Sequence, residues 1–143
     1  MAIPLPEPGL VVSYSYLWHG EYAAGREEGT KNRPSVVVLV VEASEGEAPL
    51  VTVLPVTHSA PHESGSAIEI PARVKQHLGL DSERSWIVVS EGNEFVWPGY
   101  DLRKRPRSDS YAYGILPGRF YDQVRAAFVD WVRRGELKST PRT

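Results

Sequence analysis

Arg33-Pro34-Ser35-Val36-Val37-Val38-Leu39-Val40-Val41 and, after a polar turn, Leu50-Val51-Thr52-Val53-Leu54-Pro55-Val56-Thr57-His58-Ser59 form the stretch that decides how the rest of the chain is read. The runs 36–41 and 50–54 are unbroken and rich in β-branched residues. A half-exposed strand would alternate polar and apolar, so both runs are expected to be strands buried on both faces. Between them Glu42 to Pro49 carries charge, Gly and Pro, which predicts a chain reversal and an antiparallel hairpin. Antiparallel pairing then brings Lys31, Asn32 and Arg33, at the start of the first strand, to the same edge as Thr57, His58 and Ser59, at the end of the second. Cations and hydroxyls converging there make a place for an anionic group to bind.

Before this stretch, Gly9 to Trp18 alternates Val, Tyr and Leu with Ser after its first residues, which predicts a strand with one solvated face. His19 to Asn32, with three glycines and three glutamates, reads as a long mobile loop. On the other side, Ala60–Gly65 reads as a loop and Ser66–Ile70 as a short alternating strand. Pro71 in a first turn, Val74 and Leu78 one turn apart, and Gly79 as the stop predict a helix. Trp86–Val89 and Phe95–Trp97 read as two strands joined by a tight hairpin turn at Ser90-Glu91-Gly92-Asn93. Pro98–Ser110 is polar and basic and is expected to end the sheet. After Leu116-Pro117-Gly118, the residues Phe120, Tyr121, Val124, Ala127, Phe128, Trp131 and Val132 recur at helical spacing, which predicts an amphipathic helix over 118–134 covering the sheet. The tail from Glu136 is expected to be frayed. The fold class expected is mainly β with short helices, in a strongly curved, mainly antiparallel sheet.

The 143 residues suit a single domain, 1–143, with its core over roughly 8–134. There is no cysteine, so disulfides and thiolate metal sites are excluded, and a reducing, cytoplasmic setting is expected. Met1–Pro8 has neither the basic start nor the apolar centre of a secretory signal, and no run is long enough to span a bilayer. The formal net charge of -2 does not make the chain a general nucleic-acid magnet, so such binding must rest on a local basic surface. Of sixteen basic residues twelve are Arg, the side chain suited to bidentate phosphate contacts, although genome composition also enriches Arg.

In this order, Pro8-Gly9 before the first strand, Arg33-Pro34 leading into a Val-rich strand, Pro55-Val56-Thr57 closing the next, a short helix with a strand pair, and a last helix after Leu116-Pro117 resemble the PemK/MazF family of toxin endoribonucleases. The resemblance implies an SH3-like small β-barrel, usually a homodimer. Such proteins cleave single-stranded RNA with no metal or other cofactor and are held inactive by a cognate antitoxin protein. It also implies that Arg33 and Thr57 are the active pair. The same fold serves gyrase inhibitors that act by protein contact, so two alternatives stand beside the nuclease: a non-catalytic binding barrel, and an RNA-binding or regulatory module. The chain departs from the family in having His58 between Thr57 and Ser59, a long segment before Arg33, and an addition over 98–116.

The chemistry of the residues agrees with that assignment. Attack of a ribose 2′-hydroxyl on the adjoining phosphate builds charge on the phosphoryl oxygens, which a fixed guanidinium at Arg33 stabilises while Thr57 hydrogen-bonds the same phosphate. His58 can serve as acid or base and Ser59 can donate to phosphate. Lys31, Asn32, His19 and the basic run Arg103-Lys104-Arg105 are candidates for gripping RNA, with Trp97 and Tyr100 as candidate stacking surfaces. Each has a plainer competing role. Arg33 could pair with Glu27 or Glu28, Thr57 could satisfy its own backbone, His58 and His19 could be solvated, Ser59 could cap the next loop, and residues 103–105 could be a solvated linker. No His/Asp/Glu spacing suggests a metal site.

Overall fold

A computed structural model describes residues 3–26, 29 and 31–142. In chain order the elements are β1 (Leu10–Ser15), α1 (His19–Ala23), β2 (Asn32–Val41), β3 (Leu50–Thr57), β4 (Ala67–Glu69), α2 (Ala72–Leu78), β5 (Trp86–Val88), β6 (Glu91–Val96), β7 (Ala112–Ile115), α3 (Gly118–Arg133) and β8 (Lys138–Pro141). The eight strands form one hydrogen-bonded network in the order β4-β5-β3-β2-β1-β7, with β6 on β3 and β8 on β6. Every pairing is antiparallel except β6 with β8. The order does not return on itself, so β4 and β7 stand at the two ends of this path.

β2 and β3 pair as their apolar runs dictate, from Val41 opposite Leu50 to Ser35 opposite Pro55, with a bulge between Val37 and Leu39. Successive side chains of a strand point to opposite faces. Val36, Val38, Leu54 and Val56 accordingly enter one core, with Val74 and Leu78 of α2 and Phe120, Val124, Phe128 and Trp131 of α3. Val37, Val51 and Val53 enter a second core on the other face, with Tyr14, Tyr16, Phe95 and Trp97. An unbroken apolar strand is therefore what two cores require. At its far end β2 leaves this cover, and Leu39 and Val41 are exposed.

α2 and α3 form where periodicity places them. Pro71 is the N-cap of α2 rather than a first-turn residue, and Gly79 closes it in the left-handed conformation (φ 68°), which costs glycine nothing. α3 is seated by its buried stripe and by the Tyr121 hydroxyl, which donates to the Val38 carbonyl at 2.8 Å.

Five expectations are corrected. β1 has no solvated face: Ser13 and Ser15 are 1% and 6% exposed, because residues 101–111 fold over that edge. The Tyr111 and Asp101 carbonyls there accept from the Ser13 and Ser15 amides at 2.8 Å. Residues 19–23, expected in a loop, form α1, with Glu21 reaching back to accept from the Trp18 amide at 3.1 Å. Ser90–Asn93 is not a hairpin turn. β5 and β6 both pair antiparallel with β3, one beyond the other along the same edge, so they run in the same direction. Gly92 lies inside β6, where a Cβ would stand 3.0 Å from the Val53 carbonyl oxygen, and Asn93 is fully buried. Residues beyond 98 do not end the sheet, since β7 pairs with β1 and Leu102 bridges to Tyr14. Nor is the tail frayed: β8 lies parallel to β6, Thr140 is fully buried, and Arg142 reaches the Asp101 carboxylate at 2.7 Å. No helix among the described residues is long and apolar enough to cross a membrane.

Candidate active site

Where β2 begins and β3 ends, the sheet borders a cavity of about 670 Å³. Lys31, Asn32, Arg33, Thr57, His58 and Ser59 all line it, and so do Trp18, Asp81, Ser85, Arg105 and Tyr113. The antiparallel register is the cause, because it carries residues distant in sequence to one end of the hairpin.

Arg33 is held at three points. Its Nη1 donates to the Val56 carbonyl at 3.2 Å, and its guanidinium carbon lies 4.9 Å from the centroid of the Trp18 ring. Its backbone pairs opposite Tyr14. Its Nε is buried without a hydrogen-bond partner. Burial lowers the affinity of this guanidinium for its proton, while Glu21 and Tyr16 act in the opposite sense. An arginine stays charged even so. Among the described residues no carboxylate lies at ion-pair distance from Arg33; Glu27 and Glu28, its competing partners, lie outside the described residues. A half-buried guanidinium, oriented at the cavity wall by the Val56 carbonyl and the Trp18 ring, is suited to an incoming oxyanion.

Thr57 Oγ1 accepts from the Ser59 amide at 3.2 Å, the local turn anticipated as its competing role. A hydroxyl that accepts one bond still has its O–H to donate, so the turn orients Thr57 without exhausting it. The same bond places Ser59 at the cavity rim, where it is exposed. His58 is not merely solvated: its Nε2 lies 2.9 Å from Asp81 Oδ2. Asp81 is in turn bonded through Oδ1 to the buried Lys75 ammonium at 2.7 Å and to the Glu83 amide at 3.1 Å. Lys75 also donates to the Ser85 hydroxyl at 2.7 Å and to the Glu83 carbonyl. The Lys75 bond, followed by those of His58, holds the Asp81 carboxyl below its ordinary range, so it is a firm acceptor.

The other nominated residues divide. Arg105 enters the cavity with its guanidinium 4.5 Å from the Tyr113 centroid and its Nε buried without a partner. Arg103 does not line the cavity; it turns back on its own loop, donating to the Tyr100 and Leu102 carbonyls at 2.6 and 3.1 Å. Lys104 lies 3.9 Å from Asp109, also off the cavity. His19 opens α1, its amide bonded to Glu91 at 3.0 Å and its Nδ1 buried, and it does not reach the cavity wall. Trp97 is a core residue bonded to the Pro4 carbonyl, while Tyr100 is exposed.

Sequence reasoning missed Trp18, Asp81 and Tyr113. Trp18 had a signal, as an aromatic closing the strand that pairs with residues 32–36. Asp81 had none, because its approach to His58 depends on how α2 docks. It also missed that His58, Asp81 and Glu83 bring ligand-type atoms within 4.8 Å of one another. There the Lys75 ammonium already supplies the positive charge on Asp81. Neither a scan against protein-family models nor a search of the curated proteins gives a match.

Proposed function

We propose that the chain is a PemK/MazF-like toxin of a toxin–antitoxin pair: an endoribonuclease that cleaves single-stranded RNA by attack of a 2′-hydroxyl on the neighbouring phosphate. The single observation that carries this reading is the joint lining of one cavity by Arg33 and Thr57, from opposite strands of the central hairpin, with Lys31, Asn32 and Arg105 beside them. Arg33 stabilises the charge that grows on the phosphoryl oxygens, and Thr57 donates to the same group. Lys31, Asn32 and Arg105 hold the flanking backbone of the RNA. No metal or cofactor is part of this chemistry. On this reading the curved sheet is an SH3-like barrel, the protein acts in the cytoplasm as a homodimer, and a cognate antitoxin protein blocks the cavity.

The test is cleavage of a labelled single-stranded RNA by purified protein, in the presence of chelator, beside the same oligonucleotide with deoxyribose throughout. Cutting of the RNA alone is expected, with Arg33→Ala inactive and folded. If the wild type leaves every RNA intact while Arg33→Ala still inhibits growth, the chain is instead a binding barrel acting by protein contact.

A further inference from the structure

The cavity holds a group whose chemistry the Arg33–Thr57 pair does not use, the His58 imidazole. Its Nε2 faces Asp81 Oδ2 at 2.9 Å, and the other Asp81 oxygen is claimed by the Lys75 ammonium at 2.7 Å and the Glu83 amide at 3.1 Å. Lys75 is itself buried and fixed by Ser85 Oγ at 2.7 Å and the Glu83 carbonyl, so the Asp81 carboxylate is anchored from behind before it meets the histidine. A carboxylate oxygen can only accept. The neutral imidazole must therefore carry its proton on Nε2, leaving Nδ1 as a bare acceptor.

Resting on the endoribonuclease reading, we propose that His58 is the base that takes the 2′-hydroxyl proton, and that Asp81, anchored by Lys75, is the positioning residue that fixes its tautomer. As the 2′-oxygen bonds to phosphorus its proton passes to His58 Nδ1, and the bond from phosphorus to the 5′-oxygen breaks. The departing 5′-oxygen takes a proton from water, and the imidazolium returns its own proton to the hydroxide so formed. The products are a 2′,3′-cyclic phosphate and a 5′-hydroxyl. Glu83 Oε2 lies 3.7 Å from the same Nε2. Lys31, Arg33 and Arg105 line the same cavity. This arrangement gives a role to the histidine that stands between Thr57 and Ser59.

The decisive variant is Asp81→Asn. Its single Oδ1 remains the acceptor for Lys75 and the Glu83 amide, so the amide NH₂ turns towards His58 and donates to Nε2. The tautomer is then inverted while the fold is kept. Nitrogen-15 spectra of the His58 ring, recorded above its titration range without any RNA, are expected to show Nε2–H in the wild type and Nδ1–H in Asp81→Asn. Cleavage is expected to fall about a hundredfold or more in kcat, as for a lost general base, with KM for RNA little changed. A wild-type ring protonated on Nδ1, a tautomer indifferent to the substitution, or full cleavage by Asp81→Asn overturns the inference alone. Absence of cleavage by the wild type overturns the endoribonuclease reading and with it the proton transfer.

Discussion

Arg33 is the residue on which the functional reading turns, and its environment sets what substitutions should do. Because its charge is half-buried and held in place at the cavity wall, Arg33→Ala is expected to cost on the order of a few kcal/mol in the barrier, or about a hundredfold to a thousandfold in cleavage rate. Arg33→Lys keeps a charge but loses the flat fork that lies over Trp18 and bonds Val56, so it should recover only part of that rate. Thr57→Ala should cost about 1 kcal/mol, since a neutral hydroxyl contributes less. Single-turnover cleavage assays read all three; equal losses for Arg33→Ala and Thr57→Ala would sink the ranking. Glu91 supports a pH prediction away from the cavity. Burial raises its carboxyl above the ordinary value of 4.5, against the hydrogen bonds from His19 and Tyr16. The folded chain therefore keeps this proton at pH values where the unfolded chain has lost it, and the stability tied to Glu91 falls as pH rises through that window. Glu91→Gln keeps an acceptor for the Tyr16 hydroxyl and the His19 amide but cannot ionise. The stability of the variant relative to wild type, from urea unfolding, is expected to grow as pH rises past 4.5. A difference that does not change with pH would reject this account.

At the scale of elements, β6 and β8 show how a polar tail becomes part of the sheet. β8 is apolar nowhere, yet it covers the free edge of β6 and ends in a nearly buried ion pair, Arg142 with Asp101, whose side chains are 5% and 11% exposed. Arg142 also donates to the Ser15 carbonyl at 3.1 Å, so one side chain ties β8 to β1 and to the 98–111 segment. Removing one member of a buried pair leaves the other charge uncompensated, and Arg142→Ala is expected to destabilise the fold by about 3 kcal/mol. Replacing both members with apolar residues of similar size should cost much less, because no charge is then stranded. Denaturant midpoints of the single and double variants decide it. Additive losses would contradict the pairing. The same segment carries Arg105 into the cavity, so the double variant should also preserve cleavage better than Arg142→Ala does.

For the molecule as a whole, the prediction concerns assembly. The register sets Val41, Leu50 and Val96 side by side across β2, β3 and β6, and Leu39, Val41 and Val96 are 42%, 48% and 55% exposed. An apolar row at the uncovered end of a sheet is what a twofold copy would bury, so the proposed homodimer is expected to use it. Sedimentation equilibrium should give twice the chain mass for the wild type and a monomer for Val41→Asp combined with Val96→Asp. A wild type that stays monomeric at high concentration would refute the dimer.

The features legible in the residues alone were local or nearly so. Unbroken Val runs announced strands needed by two cores, helical periodicity over 118–134 announced the cover, and the short polar turn between the runs was enough to bring Arg33 and Thr57 to one end of a hairpin. Those signals work because hydrophobic period and chain reversal are set within a few residues. The rest depended on which segments met in the folded chain. Gly92-Asn93 has the composition of a turn, but β3 offered β6 a free edge, and the Asn93 amide found the Leu17 amide and carbonyl. Ser13 and Ser15 alternate like solvated residues until the 101–111 segment closes over them. His58 became one end of a chain through Asp81 to Lys75 only when α2 packed into the core it shares with Leu54 and Val56 of β3, a meeting of three side chains whose separation in sequence carries no period for a reader to find.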